Sequence, residues 1–163
     1  MEPLIRDANV TDLGALTALV SEVQDLHVAN RPEMFRATVA AEIEEWLRQS
    51  FENPAVKIWV ADIAGTARGY IVVVIREQPR GPFNFARTWL ELDQIGVQRA
   101  HRRAGVARGL VAAALAYARA KGITDVELSS WSFNRDAHRA FEKLGLAPKV
   151  VRFEVRLPAP SDT

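Results

Sequence analysis

The sequence predicts an α+β domain in which helices cover a mixed, largely antiparallel sheet. Three observations carry that prediction. The 163 residues suit one domain. Apolar residues recur at helical spacing in some stretches and give way to β-branched runs in others. The elements read in the order β-α-α-β-β-β-α-β-α-β, with three successive strands between helical pairs.

Residues 4–8 form the first strand. Asn9, Thr11 and Asp12 are N-cap types, and the helix they open runs over 12–27 with Leu16, Leu19, Val20 and Val23 on one face. Asn30-Arg31-Pro32 breaks it. Val39, Ile43, Trp46 and Leu47 mark a second helix that ends near Phe51, ahead of Asn53-Pro54. Residues 56–62 and 68–76 are rich in β-branched side chains and flank Ala64-Gly65, so they read as a hairpin. A Pro- and Gly-rich loop, 78–87, leads to a strand over 88–97. The basic loop 98–103 follows, then a helix over 104–121 that turns Ala107, Leu110, Val111, Ala114, Leu115 and Ala118 inward and ends at Gly122. A strand at 125–130, a helix at 134–144 stopped by Gly145, and a last strand at 150–157 complete one domain over 1–157. Residues 158–163 read as a flexible tail.

Composition narrows the function classes. With 48% apolar residues the chain can build a core unaided. It has no cysteine, which excludes a disulfide framework, a thiolate metal site and a cysteine nucleophile. His27, His101 and His138 share no metal-ligand spacing, so no metal is expected. The longest apolar stretches, 71–75 and 110–118, are far shorter than a membrane span. The opening MEPLIRD lacks the form of a secretory signal, and a cytoplasmic location is expected. The net charge of +1 argues against a nucleic-acid partner. That charge is unevenly spread. Residues 1–52 carry ten Asp/Glu against four Lys/Arg, whereas 94–124 carry six Lys/Arg and no acid. The acid-free stretch is either a solvated basic helix face or the positive field around an anion site.

The junction Arg102-Arg103-Ala104-Gly105-Val106-Ala107 reads either as a structural strand-to-helix turn or as an anion site. A helix start offers backbone N–H groups without internal partners and the positive end of the helix dipole. Gly105 and Ala107 let a ligand approach the backbone, and Arg99, Arg102, Arg103 and Arg108 add charge. The pattern suits a pyrophosphate, yet it is neither a Walker A loop nor a GxGxxG loop.

Arg102-x-x-Gly105-x-Ala107, preceded by Ile95-Gly96-Val97, resembles the acetyl-CoA motif of the GNAT superfamily of N-acetyltransferases. Trp131-Ser132-Phe133-Asn134, Ala137 and Phe141-Glu142-Lys143-Leu144-Gly145-Leu146 resemble a second block of that family. Ile5-Arg6-Asp7-Ala8 and Asp12-Leu13 are similar to its first strand and helix, so the resemblance spans about 4–156. It implies the GNAT fold, with about four helices flanking a sheet whose fourth and fifth strands splay around the pantetheine arm. It implies that Ile95, Gly96 and Val97 line that arm and that Arg102, Arg103, Ala104, Gly105, Val106 and Ala107 bind the pyrophosphate of acetyl-CoA. Asn134 would reach the cofactor, and Phe141 would pack against it. The resemblance also implies a homodimer and an amine acceptor, small-molecule or peptide.

Glu91 stands where some family members hold a general base. Strand alternation would put 91, 93, 95 and 97 on one face, so Asp93 would join it as a base or as a charge attracting the amine. The competing reading makes Glu91 a solvated residue paired with Arg76 or Arg87. Phe141 departs from the family, which often has a proton-donating Tyr there; water, Ser132 or no acid at all would then serve the leaving thiolate. A CoA-binding module without turnover is the alternative that this departure raises. His27 reads as a helix-end cation beside a loop that borders the acceptor pocket in the family, and Phe83, Phe85 and Trp89 as walls of that pocket.

Overall fold

A computed structural model of the protein describes residues 2–159, so 160–163 of the expected tail lie outside the described residues. Strand β1 (Leu4–Asp7) leads through a 3-10 turn (Val10–Asp12) into α1 (Leu13–Asn30) and α2 (Ala40–Glu52). Strands β2 (Val56–Ile63), β3 (Thr66–Gln78) and β4 (Arg87–Val97) follow. A second 3-10 turn (Arg99–His101), α3 (Val106–Ala120), β5 (Asp125–Glu127) and α4 (Arg135–Lys143) complete the described elements. The sheet order is β1-β2-β3-β4-β5, antiparallel throughout except for the parallel β4–β5 pair. The expected mixed, largely antiparallel α+β architecture is the one observed.

The β2–β3 hairpin closes on Ala64 and Gly65, whose φ angles of 54° and 79° supply the positive φ that a two-residue turn compatible with the right-handed strand twist demands. Side chains along β3 alternate between two cores. Tyr70 and Val72 join Leu16, Leu19 and Val20 of α1 and Ile43 and Leu47 of α2. Ile71 and Val73 join Val106, Leu110, Val111, Ala114 and Ala118 of α3. Burial on both faces explains why 70–75 reads as an almost unbroken apolar run.

Arg6 ties β1, the first turn and β2 together. Its guanidinium donates to both carboxylate oxygens of Asp12 at 2.8 and 2.9 Å and to Asp62 at 3.0 Å. Asp12 is buried and also accepts the Asn9 N–H at 3.0 Å. The hydrogen bonds from Arg6 hold the Asp12 carboxyl below its ordinary range. Asp12→Asn is expected to destabilise the domain by about 2–3 kcal/mol, because the Arg6 charge loses its main partner. A carboxyl with a lowered folded pKa stabilises fully above its unfolded pKa, and that stabilisation is lost as pH falls toward the folded one. The gap between wild type and variant in urea midpoint should therefore be widest at neutral pH and narrow under acid.

Two expected strands differ. β5 stops at Glu127, not at residue 130. Residues 150–157 join no sheet, and among the described residues no backbone group there bonds another. Their β-branched side chains favour an extended chain, but a strand needs a neighbouring edge, and ion pairs hold this segment elsewhere: Lys149 to Glu127, Glu154 to Arg31.

Candidate active site

The site is built around β4, and a bulge sets its geometry. Val72 pairs with Gln94 and Val73 with Leu92, so Asp93 is an extra residue in the strand. An extra residue reverses the alternation beyond it. Leu90 and Leu92 face the α3 core, and so do Ile95 and Val97. Gln94 faces the opposite side, where its amide oxygen accepts from the Tyr70 hydroxyl at 3.0 Å. Gly96 faces that side too, and a Cβ there would lie 2.6 Å from Tyr70 and 2.7 Å from Val23 of α1. The expectation that 91, 93, 95 and 97 share one face is therefore corrected. The carboxylates lie on the α2 side of the sheet and Ile95 and Val97 on the α3 side.

Glu91 pairs with Arg76 at 3.2 Å, and Asp93 approaches the same guanidinium at 3.6 Å. Arg87 bonds Glu127 instead. Asp93 borders an open groove of about 350 Å³ between α2 and the sheet, beside Trp46, Asn53 and Arg76. Burial raises the Asp93 carboxyl above its ordinary range, against the pull of Arg76 and with the repulsion of Glu91. A second groove, near 440 Å³, lies at the far end of α3 beside Arg119 and Ile123, away from these residues.

Beyond Glu91 the edge of β4 opens. The last β4–β5 pair is Glu91 with Glu127, so residues 92–97 extend past the end of β5. The Gln98 N–H donates to the Arg68 carbonyl on the β3 side at 2.8 Å. By alternation the backbone groups of Val97 and Ile95 point to the opposite, open edge. The Val97 carbonyl accepts there from Arg102 Nε at 2.9 Å.

The α3 start lies next to this edge. Arg103 and Gly105 adopt positive φ, 64° and 78°, and Gly105 supplies no side-chain cap to the helix. Ala104 and Gly105 are exposed, and a Cβ on Gly105 would meet nothing within 4 Å. Val106 is buried and anchors the turn to the core, with Ala107 half-buried behind it. Two left-handed residues before a helix gather backbone N–H groups into an anion-binding concavity.

Arg102 does not reach outward. Besides Val97, its guanidinium bonds Glu22 of α1 at 2.8 Å, and Glu22 also accepts the Arg99 N–H at 3.1 Å. Sequence reasoning missed Glu22. The acid-poor stretch facing an acid-rich N-terminal half signalled that some such pairing would form, but not which carboxylate would make it.

At the end of α1 the His27 ring lies 5.1 Å from Phe35 and 6.1 Å from Phe133. Trp131 stacks on Phe133 and meets Phe35 edge-on, and Arg31 covers Trp131 at 5.4 Å. His27 thus packs as an aromatic ring; its Nδ1 is buried without a partner among the described residues. Asn134 caps α4, its side-chain oxygen accepting from the Ala137 N–H at 3.4 Å, which leaves its amide N–H groups free of that cap. Phe141 is half-buried in α4. Phe83 and Phe85 are 99% and 88% exposed in the loop before β4. That loop lies at the opposite end of the strand from the α3 start. Among the described residues no group of three or more His, Asp or Glu could hold a metal, and no helix is long and apolar enough to cross a membrane.

The acetyltransferase (GNAT) family profile matches residues 20–146. N-acetyltransferase family 8 member 2 of Rattus norvegicus is 30% identical over 100 residues, covering 61% of this chain and 42% of its own. N-acetyltransferase 8F1 of the same organism is 28% identical over 108 residues, 66% of this chain and 47% of its own. The chain thus spans less than half the length of these curated relatives. Among solved structures, a tetramutant of the BH1408 protein from Bacillus halodurans superposes with a TM-score of 0.90 at 23% identity, covering 94% of this chain and 99% of that one. An aminoglycoside N-acetyltransferase, AAC(6')-Iy in complex with CoA, gives 0.75 at 19% identity over 95% of each chain. At these identities the structures share a fold with this chain.

Proposed function

The chain belongs to the acetyltransferase (GNAT) family, and from that premise we propose that it transfers an acetyl group from acetyl-CoA to a primary amine by direct attack in a ternary complex. One observation carries the proposal: the open edge of β4 at Ile95 and Val97 runs up to an uncapped helix start with left-handed residues at Arg103 and Gly105. Acetyl-CoA supplies the acetyl thioester. The backbone N–H groups around Gly105 hold its pyrophosphate, and Ile95 and Val97 present backbone groups to the pantetheine arm. Gly96 leaves room for Tyr70 and Val23, which pack where a Cβ would stand. Asn134 reaches the cofactor through its free amide N–H groups.

The acceptor amine approaches from the α2 side, where Glu91 and Asp93 outweigh the single charge of Arg76 and favour a cationic amine. An alkyl amine arrives protonated at neutral pH. Glu91 takes that proton, and Asp93, whose partial desolvation raises its affinity for a proton, stands beside it as a second acceptor. Arg102 is a positioning residue: it fastens the phosphate loop to the end of β4 and to Glu22. Arg102→Lys keeps the charge but cannot bridge both acceptors in one plane. It is expected to raise the acetyl-CoA Kd about tenfold, equal to ~1.4 kcal/mol, read by calorimetric titration; an unchanged Kd assigns Arg102 to charge alone.

The direct test is release of free CoA thiol on mixing the protein with acetyl-CoA and a panel of primary amines. Release that depends on one class of amine supports the proposal. Tight acetyl-CoA binding with no release across the panel favours the second reading, a CoA-binding module without turnover. That reading rests on Phe141, which has no proton to give a leaving thiolate.

A further inference from the structure

Lysine is scarce in this chain. Of its 21 basic residues, four are lysines, at 57, 121, 143 and 149, and the rest are arginines. The distinction matters for acyl transfer, because a guanidinium keeps its protons in a protein whereas a lysine ammonium can lose one and become a nucleophile. Lys57 pairs with Asp7 at the β1 edge of the sheet. Lys121 lies over Tyr117 at the C-terminal end of α3, and Lys143 is exposed in the last turn of α4. Lys149 differs: its ammonium bonds Glu127.

Glu127 marks the place where β4 and β5 part. It is registered with Glu91 in the last pair of the parallel ladder, and registered residues of neighbouring strands project to the same face. Leu90 and Val126 belong to the α3 core, so Glu91 and Glu127 face the other way, the side assigned above to the acceptor amine. On that face Arg87 reaches Glu127, and Arg76 lies between Glu91 and Asp93. Three carboxylates thus share two guanidiniums, and the ammonium of Lys149 brings the cluster to neutrality. The hydrogen bond from Lys149 is the main cause that holds the Glu127 carboxyl below its ordinary range. The Lys149 side chain is exposed, and beyond Leu146 no backbone group is hydrogen-bonded among the described residues. An amine is therefore seated by charge at the mouth of the β4 edge, on a backbone that no ladder restrains.

We propose that Lys149 is the chain's own acetyl acceptor, modified in cis at Nζ by acetyl-CoA bound along β4, a site that rests on the acetyltransferase reading above. Lys149 leaves Glu127 and gives one ammonium proton to Glu91. Its free electron pair then attacks the thioester carbonyl carbon. The C–N bond forms as the C–S bond breaks, and the sulfur departs with the bonding electrons. The nitrogen sheds a second proton, which ends on the thiol, while the first passes from Glu91 to solvent. The product amide carries no charge. Glu127 is then left to Arg87, and the face regains one unmatched carboxylate for a cationic amine from solution.

The seat is tested first on the full chain without acetyl-CoA. A water-soluble carbodiimide is expected to join Lys149 to Glu127 directly, found by peptide mass mapping; crosslinks confined to other lysines overturn the seat. The chain is then incubated with acetyl-CoA at neutral pH and followed by intact mass and peptide mapping. Lys149 is expected to be acetylated at least about tenfold faster than Lys57, Lys121 or Lys143, the gain that holding a nucleophile in place provides. Its half-time should not change with protein concentration, and Glu127→Gln should bring Lys149 down to the rate of the other three. Equal rates at all four lysines overturn the proposal, and so does a half-time that lengthens on dilution. Release of CoA thiol to added amines is measured on the same preparation. Release to those amines with Lys149 unmodified overturns Lys149 as acceptor and leaves the acetyltransferase reading standing; transfer to neither removes both.

Discussion

Gly105→Glu is expected to weaken acetyl-CoA binding at least a hundredfold, about 2.7 kcal/mol, while the domain stays folded. The new carboxylate would stand where the pyrophosphate does, exchanging attraction at a positive helix end for repulsion between like charges. Nothing lies within 4 Å of a Cβ at this position, so no core contact is disturbed. The backbone φ of 78° adds strain of roughly 1–2 kcal/mol for any L side chain, which a domain of ordinary stability tolerates. Gly105→Ala carries the same strain without the charge and separates the two effects: it should lose well under a tenth of what the glutamate loses in fold terms. Calorimetric titration of both variants, with thermal melts as the folding control, reads the difference. Equal losses in the two would place the effect in the loop's shape, and unchanged affinity in both would remove this helix start from the phosphate site.

Glu91→Gln is expected to lower turnover about a hundredfold or more near neutral pH, with acetyl-CoA affinity little changed. Without a base only the small fraction of amine already deprotonated can attack. That fraction grows as pH climbs toward the amine pKa, near 10 for an alkyl amine. The deficit should therefore shrink as pH rises. Glutamine keeps the shape and can still accept from Arg76, which limits structural loss. Asp93→Asn made alongside it tests how the two carboxylates divide the proton. Wild-type rates at every pH in Glu91→Gln would return Glu91 to the role of a strand residue paired with Arg76.

The order of elements from β1 to α4, the hairpin at Ala64-Gly65 and the glycine at the α3 start were legible in the amino-acid string. Each is dictated by residues within a few positions of one another: a turn that needs positive φ, a run of β-branched side chains, a helix that cannot cap itself with glycine. Only the tertiary structure decided that Asp93 bulges out of β4 and reverses the faces of Ile95 and Val97, because a bulge is a mismatch in register between two strands and neither strand records it alone. The same holds for Arg102 turning back to Glu22, 80 residues away, and for 150–157 staying clear of β5. Periodicity tells a segment which face it wants buried. Which partner meets that face is settled by where distant side chains come to rest once the cores have closed.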